Sequence, residues 1–236
     1  MIVMDTKVFA DADSTARAAA RLIADDIRAV TAERGRYTMA VSGGRTPWLM
    51  LRTLADEEVN WDRLHIFQVD ERVAPAGHPD RNLTHLEETL LGHAPLRPDQ
   101  IYPMPVESDD LERAAAQYAS KLREIAGSPP VLDLVHLGLG PDGHTASLVP
   151  GDPILEVDDK DVGVTGVYQG RRRMTLTYPA ISRARRILWV VTGNDKTEML
   201  SRLLKADTSI PAGRIKADRA TVFADRAAAG VQSEVA

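Results

Sequence analysis

YTMAVSGGRTPWLMLRTLAD, residues 37–56, runs a short β-prone segment (Tyr37 to Val41) through a Ser-Gly-Gly turn into a helix-prone segment that starts at Pro47 and reaches about Asp56. Proline suits the first turn of a helix, where its missing N–H would be unpaired anyway. Outward from this unit the same alternation repeats. On the N-terminal side a short strand at Val8-Phe9 precedes a helix with Ser14 as its expected cap. That helix has an apolar face of Ala16, Ala20, Ile23, Ile27 and Val30 and a stop at Gly35. On the C-terminal side, residues 64–69, 131–139, 162–168, 174–178 and 187–192 read as strands. Helical patterns fall near 83–91, along the face Leu111, Ala115, Tyr118, Leu122 and Ile125, and at 196–205.

Strands and helices alternating at these lengths predict an α/β protein with a mainly parallel sheet flanked by helices. The closely spaced strands between 162 and 178 predict a small added antiparallel subdomain. No internal repeat and no dividing linker is found, so a single domain is expected over 1–236. Open sheets of this class bind ligands in the crevice at the carboxyl ends of their strands. The glycine- and proline-rich loops follow strands and so are expected there.

The chain has 236 residues, 44% hydrophobic and 27% charged, ordinary values for a globular protein. It contains no cysteine, which excludes disulfides, thiolate zinc sites, iron–sulfur clusters and a cysteine nucleophile. A formal net charge of −5 argues against a general nucleic-acid surface. No apolar run approaches the ~20 residues of a membrane span. The opening MIVMDTKVFADAD places acids where a signal peptide needs an apolar core. A cytoplasmic location is expected, with neither membrane nor nucleic-acid partners; a monomer is the working expectation.

Four loops carry candidate chemistry. Ser42-Gly43-Gly44-Arg45-Thr46-Pro47, between a strand and a helix start, has the composition of a phosphate cradle, although a tight turn that binds nothing has the same one. Gly138-Leu139-Gly140-Pro141-Asp142-Gly143 matches G-x-G-x-x-G, but a dinucleotide loop opens a crossover helix. Here Pro150, Gly151 and Pro153 interrupt. What this loop offers instead is His144 beside Asp142, a proton carrier with a carboxylate able to fix its tautomer. Asp70-Glu71-Arg72 reaches the same edge: either a solvated ion-pair cluster, or Arg72 holding an anion with Asp70 accepting from hydroxyls. Arg173 near a strand start and Lys196 near a helix start gain interest only as partners to a phosphate. No G-x-S-x-G and no H-E-x-x-H occurs. His78 and Asp80 are poor cation ligands, and His136 is expected packed or half-exposed within its strand.

In this order, SGGRTP, VDERVAPAGHPDRN, LGLGPDGHTASLVPG and RMTLTYPAI followed by VTGNDK resemble the 6-phosphogluconolactonase family, over about residues 37–225. The resemblance implies a Rossmann-like sheet with a small added subdomain, the fold shared with glucosamine-6-phosphate deaminase, ribose-5-phosphate isomerase and CoA transferases. It implies a lactone hydrolase of the oxidative pentose phosphate pathway that needs no cofactor and no metal and acts on a small sugar-phosphate lactone. By motif, Ser42, Gly43, Gly44 and Thr46 would form the phosphate loop, with Arg173 and Lys196 as charged partners. His144 would be the general base and Asp142 its neighbour. Asp70 and Arg72 would face the sugar ring or the phosphate, and the motif leaves open which. Backbone N–H groups of 138–143 are candidates for stabilising an oxyanion. Two departures, Arg81 before Asn82 where the family usually has Ser, and Val149 where it commonly has Phe, look peripheral to the chemistry. The deaminase reading wants a glutamate soon after the Gly-His pair, and Thr145 to Val149 contains none. A sugar-phosphate sensor would need an attached DNA-binding helix pair.

Overall fold

Apolar buried strands alternating with amphipathic helices build most of the structure. The computed structural model describes residues 4–216 and 218–231, so the first three residues of the acidic opening lie outside the described ones. In chain order come β1 (Asp5–Phe9), α1 (Ala12–Arg34), β2 (Tyr37–Val41), α2 (Arg45–Leu54), β3 (Leu64–Gln68), β4 (Asp70–Arg72) and α3 (Asn82–Leu86). After them come β5 (Ile101–Tyr102), α4 (Leu111–Ala126), β6 (Leu134–Leu137), β7 (Val162–Val164), β8 (Arg173–Leu176), α5 (Tyr178–Ser182), β9 (Arg186–Val191), α6 (Thr197–Leu204) and β10 (Ala220–Asp225).

Seven strands form one parallel sheet in the order β1-β10-β9-β6-β2-β3-β5. From β2 the chain moves outward through β3 to β5, then crosses back to β6 on the other side of β2. The strand order therefore reverses between β2 and β6, and the loops that follow these two strands, at 42–44 and 138–144, open into that crevice. Alternate side chains divide each strand between two cores. Met39 and Val41 of β2 pack with Ile23 and Ile27 of α1, whereas Ala40 faces the opposite core with Trp189 of β9 and Tyr118 of α4. Alanines at 16, 19, 20 and 24 let α1 lie close against the sheet.

A second, three-stranded antiparallel sheet in the order β4-β8-β7 is the small extension. Its strand β4 corrects the reading of Asp70-Glu71-Arg72 as a loop, because β4 follows β3 after Val69 alone and changes sheet there. The α1 cap is Asp11 rather than Ser14. The Asp11 carboxylate accepts from Ser14 N–H at 2.7 Å and Ser14 Oγ accepts from Asp11 N–H at 3.1 Å, a reciprocal box. Strand β10, helix α5 and the two-residue β5 have no counterpart among the expected elements. Residues 83–91 are α3 continued by a turn of π-helix, Glu87–Leu91. No helix among the described residues is long and apolar enough to cross a membrane.

Candidate active site

A cavity of about 190 Å³ opens at the β2/β6 crevice and is walled on one side by the antiparallel sheet. Ser42, Gly43, Asp70, Arg72, His144, Arg173 and Lys196 all line it, so residues from all the candidate segments converge there. Gly44 and Thr46 do not line this cavity. They face an adjoining cleft with Thr192, Gly193 and Lys196, where the Thr46 and Thr192 hydroxyls share a hydrogen bond of 2.6 Å. Ser42 also points partly inward: its N–H donates to His136 Nδ1 at 3.3 Å and its hydroxyl to His136 O at 3.1 Å.

The loop after β6 builds the proton-transfer pair. His144 Nδ1 lies 2.5 Å from Asp142 Oδ1, and the His144 N–H donates to the same oxygen at 3.2 Å. This leaves Nε2 as the nitrogen available to a water. Gly140 is required by close approach, because a Cβ there would collide with both His144 Nδ1 and Asp142 Oδ1. Partial burial favours the neutral Asp142 carboxyl, but the facing imidazole, its hydrogen bonds and the Tyr168 hydroxyl outweigh that and hold it below the usual carboxylate range. Tyr168 Oη donates to Asp142 Oδ2 at 2.9 Å. The oxyanion expectation needs correcting at two positions. Gly140 N–H donates to His144 O at 2.8 Å and Gly143 N–H to Gly140 O at 3.0 Å, so the tight turn consumes both donors.

The opposite wall follows from the β4–β8 register. Asp70 pairs with Thr175 and Arg72 with Arg173, so the alternating side chains Asp70, Arg72, Arg173 and Thr175 share one face while Glu71 and Met174 share the other. Arg173 is 4% exposed, and its Nε, like that of Arg72, is buried without a hydrogen-bond partner. Burial, and then the facing Arg72, pull the Arg173 guanidinium below its ordinary range. Two cations directly opposite on one face repel, and an anion between them removes that cost. Lys196 adds a third cation at the rim shared with the adjoining cleft. The lining thus carries three cations against one carboxylate within a chain of net charge −5.

Asp70 accepts from Ser147 Oγ at 2.6 Å, and its main-chain oxygen accepts from Asn82 Nδ2 at 2.9 Å. Asp70-Glu71-Arg72 is no solvated charge cluster. Glu71 is fully buried and accepts from Arg72 N–H, Asn82 N–H, Leu83 N–H and Gln68 Nε2, each at 2.8 Å. Arg81, also buried, places Nε 3.2 Å from Glu71 Oε2 and donates through Nη1 to Ala74 O at 2.8 Å. The departure at Arg81 is therefore part of the frame under the site, not peripheral to it. Val149, the other departure, is buried in the interior.

Asn82, Ser147 and Tyr168 touch the site and are absent from the sequence-based candidates. Asn82 and Ser147 stand inside the quoted motifs, which is the signal that marks them; Tyr168 stands in a stretch with no motif. His136 is fully buried, and burial pushes its imidazole down to about 3. His78 and Asp80 both hydrogen-bond the Arg171 guanidinium. Among the described residues no group of three or more His, Asp or Glu side chains is gathered as metal ligands.

Over most of its length the chain is similar to known proteins. Residues 10–224 match the family model described as glucosamine-6-phosphate isomerases/6-phosphogluconolactonase. A 6-phosphogluconolactonase of Synechocystis is 39% identical over 73% of either chain. One of Mycobacterium tuberculosis is 34% identical over 87% of this chain and 89% of its own. The solved 6-phosphogluconolactonase from Trypanosoma brucei superposes with a TM-score of 0.85 at 27% identity, covering 99% of this chain and 100% of that one.

Proposed function

The chain belongs to the glucosamine-6-phosphate isomerase/6-phosphogluconolactonase family, and from that premise we propose how this member acts: it hydrolyses 6-phospho-D-glucono-1,5-lactone to 6-phospho-D-gluconate in the oxidative pentose phosphate pathway. The observation that carries the reading is one small cavity holding an imidazole, oriented by a carboxylate, opposite two guanidinium groups whose Nε atoms are buried without a hydrogen-bond partner. That spacing of a base and an anion grip suits a compact substrate with an ester carbon at one end and a phosphate at the other.

Arg72 and Arg173 take the phosphate between them, with Lys196 as third cation, and this positions the lactone carbonyl at His144. Neutral His144 removes a proton from water through Nε2 as the water oxygen attacks C1. Asp142, bonded to Nδ1, holds the tautomer and stabilises the imidazolium that results. The tetrahedral oxyanion forms where the lining is net positive. As it collapses, the C1–O5 bond breaks and the imidazolium returns its proton to the ring oxygen, leaving the carboxylic acid to ionise in water. Asp70, tied by Ser147, faces the sugar hydroxyls as an acceptor.

Acid release from freshly prepared lactone, measured above spontaneous hydrolysis, tests the proposal. The protein is expected to open the ring far faster than buffer. His144→Ala is expected to lower kcat by about 10²–10⁴-fold with little change in KM. A near-normal kcat in that variant removes His144 from the mechanism, and a parent rate equal to buffer removes the function.

A further inference from the structure

The hairpin between β7 and β8 folds over the cavity edge. At its tip, Tyr168 and Arg171 pair across Gln169 and Gly170, which both have positive φ (50° and 79°), the pattern of a two-residue hairpin turn. Arg171 fastens the tip to the opposite loop by donating from Nε to Asp80 Oδ2 at 2.6 Å. The tyrosine held there touches both halves of the site. Its hydroxyl donates to Asp142 Oδ2, the carboxylate oxygen that His144 does not use, at 2.9 Å. Its ring meets the His144 ring edge-on at 5.5 Å between centroids, and the Arg173 guanidinium lies 4.9 Å from the ring centre. Arg173 is held further by Gln169 Oε1, which accepts from Nη2 at 3.2 Å.

We propose that Tyr168 is a positioning residue for the reaction: it joins the anion grip to the proton-transfer pair, so that seating of the phosphate on Arg173 and orientation of Asp142–His144 share one rigid support. The inference rests on the lactonase reading above. Three features support it. The hydroxyl fixes the carboxylate plane from the side opposite His144. The ring offers its π-face to a buried cation whose Nε has no other partner. A two-residue turn leaves the side chain little freedom to leave.

Steady-state kinetics on two variants separate the two contacts. Tyr168→Phe keeps the ring and loses only the hydroxyl, so kcat is expected to fall about tenfold with KM within about twofold of the parent. Tyr168→Leu also removes the ring beneath Arg173 and is expected to raise KM a further fourfold or so. Tyr168 is partly exposed, and thermal melting serves as the folding control. The proton resonance of His144 Nδ1–H, followed by NMR, is expected to move in Tyr168→Phe. A kcat within about twofold of the parent, or an unmoved resonance, overturns the link to Asp142. Equal KM values in the two variants overturn the link to Arg173. If the parent opens the lactone no faster than buffer, the lactonase reading itself has failed. If the parent is active and His144→Ala is inactive while Tyr168→Phe is normal, only the present inference has.

Discussion

Replacing Glu71 by Ala tests whether the frame beneath the site is electrostatic. The fully buried carboxylate accepts four hydrogen bonds of 2.8 Å and sits 3.2 Å from the Arg81 Nε. Removing it strands three main-chain donors, one amide and a guanidinium that is 3% exposed. Breaking a buried pair from one side costs roughly 3–5 kcal/mol, because the remaining charge stays desolvated. For a chain of this size each kcal/mol shifts Tm by roughly 2–4 °C, so a drop of about 10 °C is expected. Arg81→Met removes the cation but leaves the carboxylate with its four other donors and fills the space, so its cost is expected at about half that or less. Thermal and denaturant unfolding of both variants decides the matter. The reasoning fails if Arg81→Met costs as much as Glu71→Ala, since the main-chain donors would then contribute nothing. Glu71→Ala is also expected to lower kcat/KM, because Asp70 and Arg72 flank it on β4.

Arg173→Met is expected to raise KM on the order of tenfold or more by removing a charged contact to phosphate. Relief of the repulsion from Arg72 is expected to raise the Tm of the ligand-free protein slightly, and an unchanged KM would place the phosphate elsewhere. Gly140→Ala forces the Asp142–His144 pair aside, so kcat is expected to collapse while the far-ultraviolet circular dichroism stays native; retained activity would show that the pair tolerates displacement. His136, held neutral down to about 3 by burial, gives the unfolded chain the greater proton affinity below about pH 6.5. Stability is therefore complete above that pH and falls as pH drops, by up to about 1.4 kcal/mol per unit from this group. His136→Asn is expected to flatten the pH dependence of unfolding free energy between pH 6 and 4, and an unaltered slope would refute the assignment.

Strand and helix order was legible because burial on both faces leaves long apolar runs. Tyr37 to Val41 is expected and observed with the same bounds. What escaped was short or polar. Strand β4 is three charged residues, and no hydrophobic pattern marks Asp70-Glu71-Arg72 as a strand. Its partner β8 is apolar only at alternate positions, which hid that Arg173 is buried. The His144–Asp142 pair could be named because the residues are two apart in the chain. The contact of Tyr168 with Asp142 spans 26 residues and depends on a hairpin turn whose Gln-Gly pair carries no motif. Thr46 was placed on the cavity by its loop, whereas its hydroxyl turns to Thr192 in the adjoining cleft.

The pairing of β4 with β8 explains how a parallel sheet obtains a cationic wall at its crevice. Parallel strands end in loops and helix starts, which supply N–H donors but no fixed row of side chains. An antiparallel pair at the same edge sets Asp70, Arg72 and Arg173 on one face at strand spacing. Register is then decisive, because a slip of one residue would turn Glu71 into the cavity and drive Arg72 into the interior. Three features pin it. Leu176 N–H donates to Val69 O at 2.8 Å and Val73 N–H to Arg172 O at 3.0 Å, one beyond each end of β4. The third is Glu71 itself, whose four donors come from Gln68, Arg72 and the start of α3 and can be met only from the buried face. The buried carboxylate so selects the register that exposes the two arginines to the cavity. The stability at stake in Glu71 and the anion affinity of Arg72 and Arg173 are consequences of one strand alignment.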